Sequence, residues 1–454
     1  MDSRVRLLCI FGICGAAICS RAQTAGSADF RFALTGDSII ERHLSVYDEP
    51  AYLQMFDRIR QADAAFTNFE MLVNDFEYPG AAVSGGTYMG APPWVLDELK
   101  WSGFRLLALA NNHSLDFGID GLLSNIRHIE KSGLTYAGAG ENLARARAPG
   151  YLDTKKGRVA LISCASTFSV FSPAGPQRPD MKGRPGINPL RFQTTYTVDP
   201  PTLATLRGLA GSNTAGENAA AGSTRDVRFL GAIFRSGEQP GIATEPNPKD
   251  VEEIAAAIHE ARRQADWVLV SIHAHEGAPG NREAPAQFLV AFAHAAIDAG
   301  ADLFVGHGPH VLRGIEVYKG KPIFYSLANF IFQNEANRFQ PQESYDQYNL
   351  PLTATPSDFY DARSAHDTRS FPADRKMWES AVAEAVFDSD RQLREITLYP
   401  ISLGFGDTRT RRGRPVPATG SLAAAIIDRI AALSKPYGTK ILYHDGKGVA
   451  EVTR

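Results

Sequence analysis

The chain has 454 residues, with 47 Lys+Arg against 50 Asp+Glu, a formal charge of −3, and four cysteines. Its 44% hydrophobic and 21% charged residues exclude a disordered, collagen-like or coiled-coil chain. The near-neutral balance lacks the basic footprint of a nucleic-acid binder, and four cysteines in this length do not make a disulfide scaffold.

The first 22 residues read as an export signal. Arg4 and Arg6 precede an apolar run over 7–19, and Ser20-Arg21-Ala22 places small residues at the exit. The run falls short of the roughly 20 residues that span a bilayer. Isoleucine precedes both Cys14 and Cys19, where a lipoprotein would need a small residue. Cleavage after Ala22 removes Asp2, Arg4, Arg6 and Arg21 and leaves a charge of −5. It also removes Cys9, Cys14 and Cys19, so that Cys164 alone remains. Cys164 ends an apolar run and reads as a buried small residue. The expected location is periplasmic or at the cell surface.

Strands then alternate with amphipathic helices. Residues 30–34 predict a strand, 50–62 a helix with Tyr52, Leu53, Phe56 and Ile59 on one face, and 64–68 a second strand. A helix over 92–100, a strand over 104–109, a helix over 118–131 stopped by Gly133, and a strand over 159–164 follow. The pattern breaks at the Pro/Gly-rich stretch 170–190 and again at 208–226, which reads as a flexible excursion. It resumes with a helix at 249–264, a strand at 267–272, a helix at 284–299 and a strand at 303–305. A hairpin over 311–318 and 322–325 turns at Lys319-Gly320-Lys321. Residues 335–376 read as a polar surface insertion. Strands at 381–387 and 394–399 and a helix at 421–433 close the chain. The sum is an α/β domain over 30–402, with insertions near 191–248 and 335–376 and a helical extension over 403–454.

Residues of metal-binding type follow five of these strands. They are Asp37; Asn68 and Glu70; Asn111, Asn112, His113 and Asp116; His273, His275 and Glu276; and His307 and His310. The carboxyl ends of strands form the ligand crevice of an open α/β sheet. Five of the eleven histidines lie in these short stretches; the other six are scattered and carry no site reading. Mixed oxygen and nitrogen donors suit Zn, Mn or Fe rather than calcium, and no cysteine is near enough for a thiolate site. His113 is placed to act as acid or base, with Asp116 close enough in sequence to orient it. Arg184, in the Pro/Gly loop, is a candidate for binding a substrate carboxylate or phosphate.

The motifs GD, NFE, NNHxxDFG, HxHE, GHGPH and YSLANF, in this order, resemble those of the bacterial capsule-synthesis CapA family of poly-γ-glutamate synthesis accessory proteins. The resemblance covers about residues 30–402, with gaps at the insertions. It implies the calcineurin-like metallophosphatase fold, a four-layer sandwich of two mixed sheets flanked by helices, and two divalent metal ions. Asp37 and His310 would hold the first ion, Glu70 would bridge, Asn112, His273 and His307 would hold the second, and His113 would serve the reaction. Three departures stand out. Asp37-Ser38-Ile39 lacks the phosphatase histidine, leaving His275 or Glu276 as replacements; His273-Ala274-His275-Glu276 replaces His-Trp-Gly; and Ala328 replaces a glycine. The implied activity is hydrolysis, at an amide of an anionic envelope polymer. The alternatives are a metallophosphoesterase and a non-catalytic polymer-binding accessory of a membrane synthase. The polymer or a peptide of it, and that synthase, are the implied partners; no nucleic acid is.

Overall fold

The computed structural model describes residues 29–213 and 226–452. The expected export signal over 1–22 lies outside the described residues. Among those described, no helix is long and apolar enough to cross a membrane.

Two large mixed sheets organise the chain. In the ten-stranded sheet, Phe30–Ile39, Ala64–Phe69, Leu106–Ala108 and Thr135–Ala137 run parallel as successive neighbours. Glu379–Phe387 and Leu393–Ser402 extend it antiparallel on the other side of Phe30–Ile39. The six-stranded sheet has Gly157–Ala165, Trp267–His273, Leu303–His307 and Lys321–Phe324 as its parallel core, with an antiparallel strand at each edge.

Strand periodicity assigns the layers. Alternate side chains point to opposite faces, and both faces of these strands are apolar. Phe30, Phe32, Leu34, Ala64 and Phe66 of one sheet meet Val159, Leu161, Leu269, Leu303 and Val305 of the other in a shared core. The opposite faces are covered by helices. Tyr52, Met55, Phe56 and Ile59 of Pro50–Gln61 and Leu122, Ile126 and Ile129 of Gly118–Ser132 pack outside the ten-stranded sheet. Ile254 and Ile258 of Pro248–Gln264 and Phe288, Leu289 and Phe292 of Gln287–Asp298 pack outside the six-stranded one. The result is helix, sheet, sheet, helix, which is the metallophosphatase-like sandwich.

Three stretches carry more structure than their composition suggests. Residues 208–213 of the supposed excursion belong to the helix Pro200–Asn213, which packs by a small four-stranded sheet formed by Phe192–Val198, Asp226–Phe229, Ala232–Ser236 and Gly241–Pro246. The stretch 335–376 holds the helix Pro356–Ser364, started by a Thr355–Asp358 capping box; its Phe359 and Tyr360 are buried. In the C-terminal extension, the hairpin Ile441–His444 and Lys447–Ala450 adds two strands to the ten-stranded sheet. The helix Gly420–Ser434 seats Ala423, Ile426, Ile427 and Ile430 in the inter-sheet core.

Candidate metal centre

The inward-facing registers of the two sheets end in polar residues. After Ala64 and Phe66 the next inward position is Asn68. After Leu269 come Ser271 and His273, and after Leu303 and Val305 comes His307. The apolar inter-sheet core therefore turns into a polar floor at one end of the strands. Asp37 reaches that floor through a bulge. Leu34 pairs with Phe66 and Asp37 with Asn68, so one extra residue sits between the two pairs. Without it, Asp37 would fall on the outer face with Ala33. Gly36 makes the bulge possible: a Cβ there would lie 1.8 Å from the Ala328 carbonyl oxygen. That carbonyl accepts the Asp37 N–H at 2.9 Å.

The donors converge. Asp37 Oδ1 lies 3.4 Å from His307 Nδ1 and 3.8 Å from His273 Nδ1, and the two imidazole nitrogens are 3.1 Å apart. His310 Nδ1 lies 3.5 Å from Asp37 Oδ2. Glu70 Oε1 lies 3.6 Å from His273 Nε2 and 3.9 Å from His113 Nε2. His275 Nε2 is 2.9 Å from His273 Nε2. Two metal-type groups result, Asp37–His273–His307 and Glu70–His275–His310. His275 thus joins the cluster in a chain that lacks the usual Asp-x-His histidine. The resemblance implies another division, with Asp37 and His310 on the first ion, Glu70 bridging, and Asn112, His273 and His307 on the second; in the structure Asp37 faces His273, His307 and His310 alike.

Supporting groups fix these side chains. Asn68 Nδ2 donates to Asp37 Oδ1 at 2.7 Å, and the Gly308 N–H donates to Oδ2 at 3.0 Å. Ser271 Oγ meets His307 Nε2 at 2.7 Å, and Asn329 Oδ1 meets His310 Nδ1 at 2.8 Å. Such second partners orient a ligating imidazole. His310 itself sits in the left-handed region, φ 58°, a conformation of the kind held at functional sites. Ser271 is visible in the sequence only through the period of its strand, and Gly308 contributes a backbone group that no side-chain pattern reveals.

His113 and Asp116 form a dyad. His113 Nδ1 is 2.7 Å from Asp116 Oδ2, while the Gly85 and Met89 N–H groups donate to the two Asp116 oxygens at 2.9 Å each. Asn112 Nδ2 donates to the Gly85 carbonyl at 3.1 Å, and its Oδ1 is buried without a partner.

Two candidates stand apart. The Glu276 carboxylate accepts from Ser166 Oγ at 2.7 Å and Thr167 Oγ1 at 2.9 Å and belongs to neither metal-type group. Arg184 is exposed, and its guanidinium donates to the Pro173 carbonyl of its own loop at 3.2 and 2.9 Å. The Pro/Gly loop closes on itself, so Arg184 does not line the cavity over the cluster.

Electrostatics fit a cation. Burial, with crowding by His275, His307 and His310, holds His273 well below the usual imidazole range. Burial, aided by His310, lowers His275 to about 3, and burial lowers His310 against the pull of Asp37. These rings are neutral at pH 7 and keep a lone pair. Burial pushes Asp37 up, but His307, His310 and the Asn68 amide outweigh it and keep Asp37 ionised. Burial, then repulsion by Asp37 and Asp116, drives Glu70 well above the carboxylate range. Both Glu70 oxygens are buried and lack any hydrogen-bond partner among the described residues. A buried carboxylate without a donor is costly, and a divalent ion is the group that these oxygens and the surrounding imidazoles would satisfy together.

A family model described as bacterial capsule synthesis protein PGA_cap matches residues 31–334. A Sinorhizobium fredii protein named uncharacterized protein y4sH is 36% identical over 446 residues, which covers 92% of each chain. The capsule biosynthesis protein CapA of Bacillus anthracis is 27% identical over 318 residues, 69% of this chain and 58% of that one. The PGA biosynthesis protein CapA of Bacillus subtilis is 30% identical over 276 residues, 59% and 54% of the two chains.

Proposed function

Because the chain belongs to the bacterial capsule synthesis protein family PGA_cap, we propose that it is an exported, metal-dependent hydrolase serving synthesis of an anionic envelope polymer of the poly-γ-glutamate type. It acts at the periplasmic or cell-surface end of that process, at an amide of the polymer, and supports a membrane synthase. The observation that carries the hydrolase reading is Glu70, a carboxylate with two orphan oxygens among buried imidazoles. Asp37, His273 and His307 would hold one divalent ion and Glu70, His275 and His310 a second, with Asn112 Oδ1 as a further donor; Zn, Mn or Fe suits this set. A metal there supplies Lewis-acid polarisation of a substrate oxygen.

The chain's own residues handle the proton. Asp116, itself fixed by two backbone N–H groups, holds the His113 ring by Nδ1 and turns Nε2 toward Glu70 and the cavity. Nε2 is the atom that passes a proton to the departing nitrogen of the amide or takes one from water. Asn68 and Asn329 act as positioning residues for Asp37 and His310.

The test is a screen of the purified, metal-loaded protein against γ-glutamyl peptides and simple phosphodiesters in parallel, with elemental analysis beforehand. Hydrolysis of the peptides that chelation abolishes and metal restores supports the reading. Hydrolysis of phosphodiesters alone makes it a phosphoesterase. No bound transition metal, and no activity restored by any, leaves a polymer-binding accessory. His113→Ala should keep its metal and lose about 10²–10⁴-fold in turnover; a variant as active as wild type removes His113 from the mechanism.

A further inference from the structure

The stretch over 333–376 closes the cavity above the cluster. That cavity, of about 230 Å³, is lined on one side by His113, His275 and His310 and also by Asn334, Arg363 and Phe371. Arg363 comes from the capped helix Pro356–Ser364. Its Nη1 donates to Thr87 Oγ1, and its guanidinium lies 5.1 Å from the Phe371 ring centroid. Among the described residues no carboxylate pairs with it. The one carboxylate that acts on it electrostatically, Glu335, is already engaged by Arg412 and Arg409. Burial lowers the pKa of Arg363 and outweighs the opposing pull of Tyr360, Tyr348 and Glu335. Asn334 is buried, 1% exposed, and among the described residues neither its amide nitrogen nor its amide oxygen has a hydrogen-bond partner.

A half-buried cation and an unpartnered buried amide facing one cavity are groups that a ligand must satisfy. We propose that Arg363 and Asn334 form an oxyanion subsite of the metal cavity, which binds a carboxylate or phosphoryl group of the substrate beside the bond under attack. The guanidinium fork takes two oxygens, and the Asn334 amide nitrogen donates a further bond. The Asn334 carbonyl remains free to accept from an N–H of the same ligand. This inference rests on the hydrolase reading and narrows its substrate. In a γ-linked glutamyl chain, each amide nitrogen is attached to the carbon that bears the free α-carboxylate. A subsite for that carboxylate fixes which amide reaches His113, and an uncharged amide is left without its anchor.

Binding decides this without turnover. The full-length, metal-loaded protein is titrated calorimetrically with a γ-glutamyl tetrapeptide, with its twin bearing α-carboxamides, and with phenyl phosphate. Wild type should prefer the carboxylate peptide or the phosphate over the carboxamide twin by about tenfold or more, the range of a charge-assisted pair. Arg363→Gln should erase that preference, while Arg363→Lys retains part of it. Phenyl phosphate as the probe that responds most to Arg363→Gln makes the bound group phosphoryl; the tetrapeptide makes it a carboxylate. Thermal melts and metal content of the variants show whether each is folded and loaded. Affinities of Arg363→Gln equal to wild type for all three probes, or an equal loss for the carboxamide twin, overturn the subsite. A protein that binds metal and shows the preference but cleaves nothing refutes the hydrolase reading and leaves the subsite standing.

Discussion

The floor and the roof of the cavity are built on opposite terms. The floor is a set of strand ends whose polar side chains are mostly spoken for by each other: Asp37 by Asn68 and Gly308, His307 by Ser271, and His310 by Asn329. Among the described residues its orphans are the two Glu70 oxygens, beside His273, and Asn112 Oδ1, on the cavity wall. The roof is irregular chain that leaves Asn334 without partners and Arg363 without a carboxylate. A floor of buried imidazoles around carboxylates suits a cation, and a roof with a spare guanidinium suits an anion. On the proposed reading, the difference separates holding a metal from choosing what is presented to it.

The largest effect should come from breaking the floor. His307 is fully buried and faces Asp37 Oδ1 and His273 through Nδ1, while Ser271 holds Nε2. His307→Ala is expected to lose bound metal outright, as read by elemental analysis of the dialysed protein, because the opposing Asp37 charge then has no shared ion. Arg363→Gln in the roof should keep its metal. Equal metal loss in both variants would abolish the distinction between floor and roof.

The two regions also differ in how far the sequence reveals them. Regular strands convert position into direction, so Asn68, His273 and His307 could be placed at strand ends from periodicity alone. Asp37 could be located but not aimed, since its inward direction depends on a bulge whose cause, the Ala328 carbonyl against Gly36, lies almost 300 residues away in the chain. The α/β class followed from alternating strands and helices, and the four-layer sandwich from the motif resemblance. The strands Gly150–Thr154, Ile441–His444 and Lys447–Ala450 were not legible, because short, half-exposed strands of mixed composition lack a clean apolar alternation. The roof was illegible for a related reason. Its composition is that of solvated loop, and Phe359, Tyr360 and Arg363 enter the interior from a short helix without a continuous apolar stripe. Arg184 shows the converse error: a Pro/Gly loop marks irregular backbone, not its direction.

A second break lies at the junction, where strand Phe30–Ile39 runs into the roof. The Glu41 N–H donates to Gln333 Oε1 at 2.7 Å, and Glu41 Oε1 is buried without a partner. Burial, against the pull of Arg338 and Arg42, pushes the Glu41 carboxyl up to about 8. Below the ordinary carboxylate range both folded and unfolded chains carry this proton, and Glu41 contributes no pH dependence. As pH rises from about 4.5 to about 8 the unfolded chain ionises first, so stability falls; above about 8 the loss is complete. The full span is on the order of 5 kcal/mol. Glu41→Gln should remove it, so the variant's melting temperature should exceed that of wild type by more at pH 9 than at pH 5. Parallel melting curves for the two proteins across that range would show that the junction carboxyl is solvated and that the roof does not seal it.

The smallest effect is expected beneath the floor, at Ala328. Its backbone sits in the left-handed region, φ 55°, which explains the glycine expected at this point of the segment. Its carbonyl takes the Asp37 N–H, and its methyl is wholly buried in the inter-sheet core. Ala328→Gly relieves about 1–2 kcal/mol of backbone strain. It forfeits about 0.8 kcal/mol for the buried methyl and about 0.5–1 kcal/mol for the freer unfolded chain. These terms nearly cancel, so urea unfolding should place the variant within about 1 kcal/mol of wild type. The hydrogen bond to Asp37 uses the backbone alone, so metal content should also be unchanged. A shift beyond about 2 kcal/mol would mean that one of the three terms dominates, and a fall in metal content would mean that the methyl, rather than the carbonyl, sets the position of Asp37. Either result would extend the floor's machinery one layer deeper than the strand ends, whereas the expected near-zero change confines it to Gly36, the bulge and the donors above them.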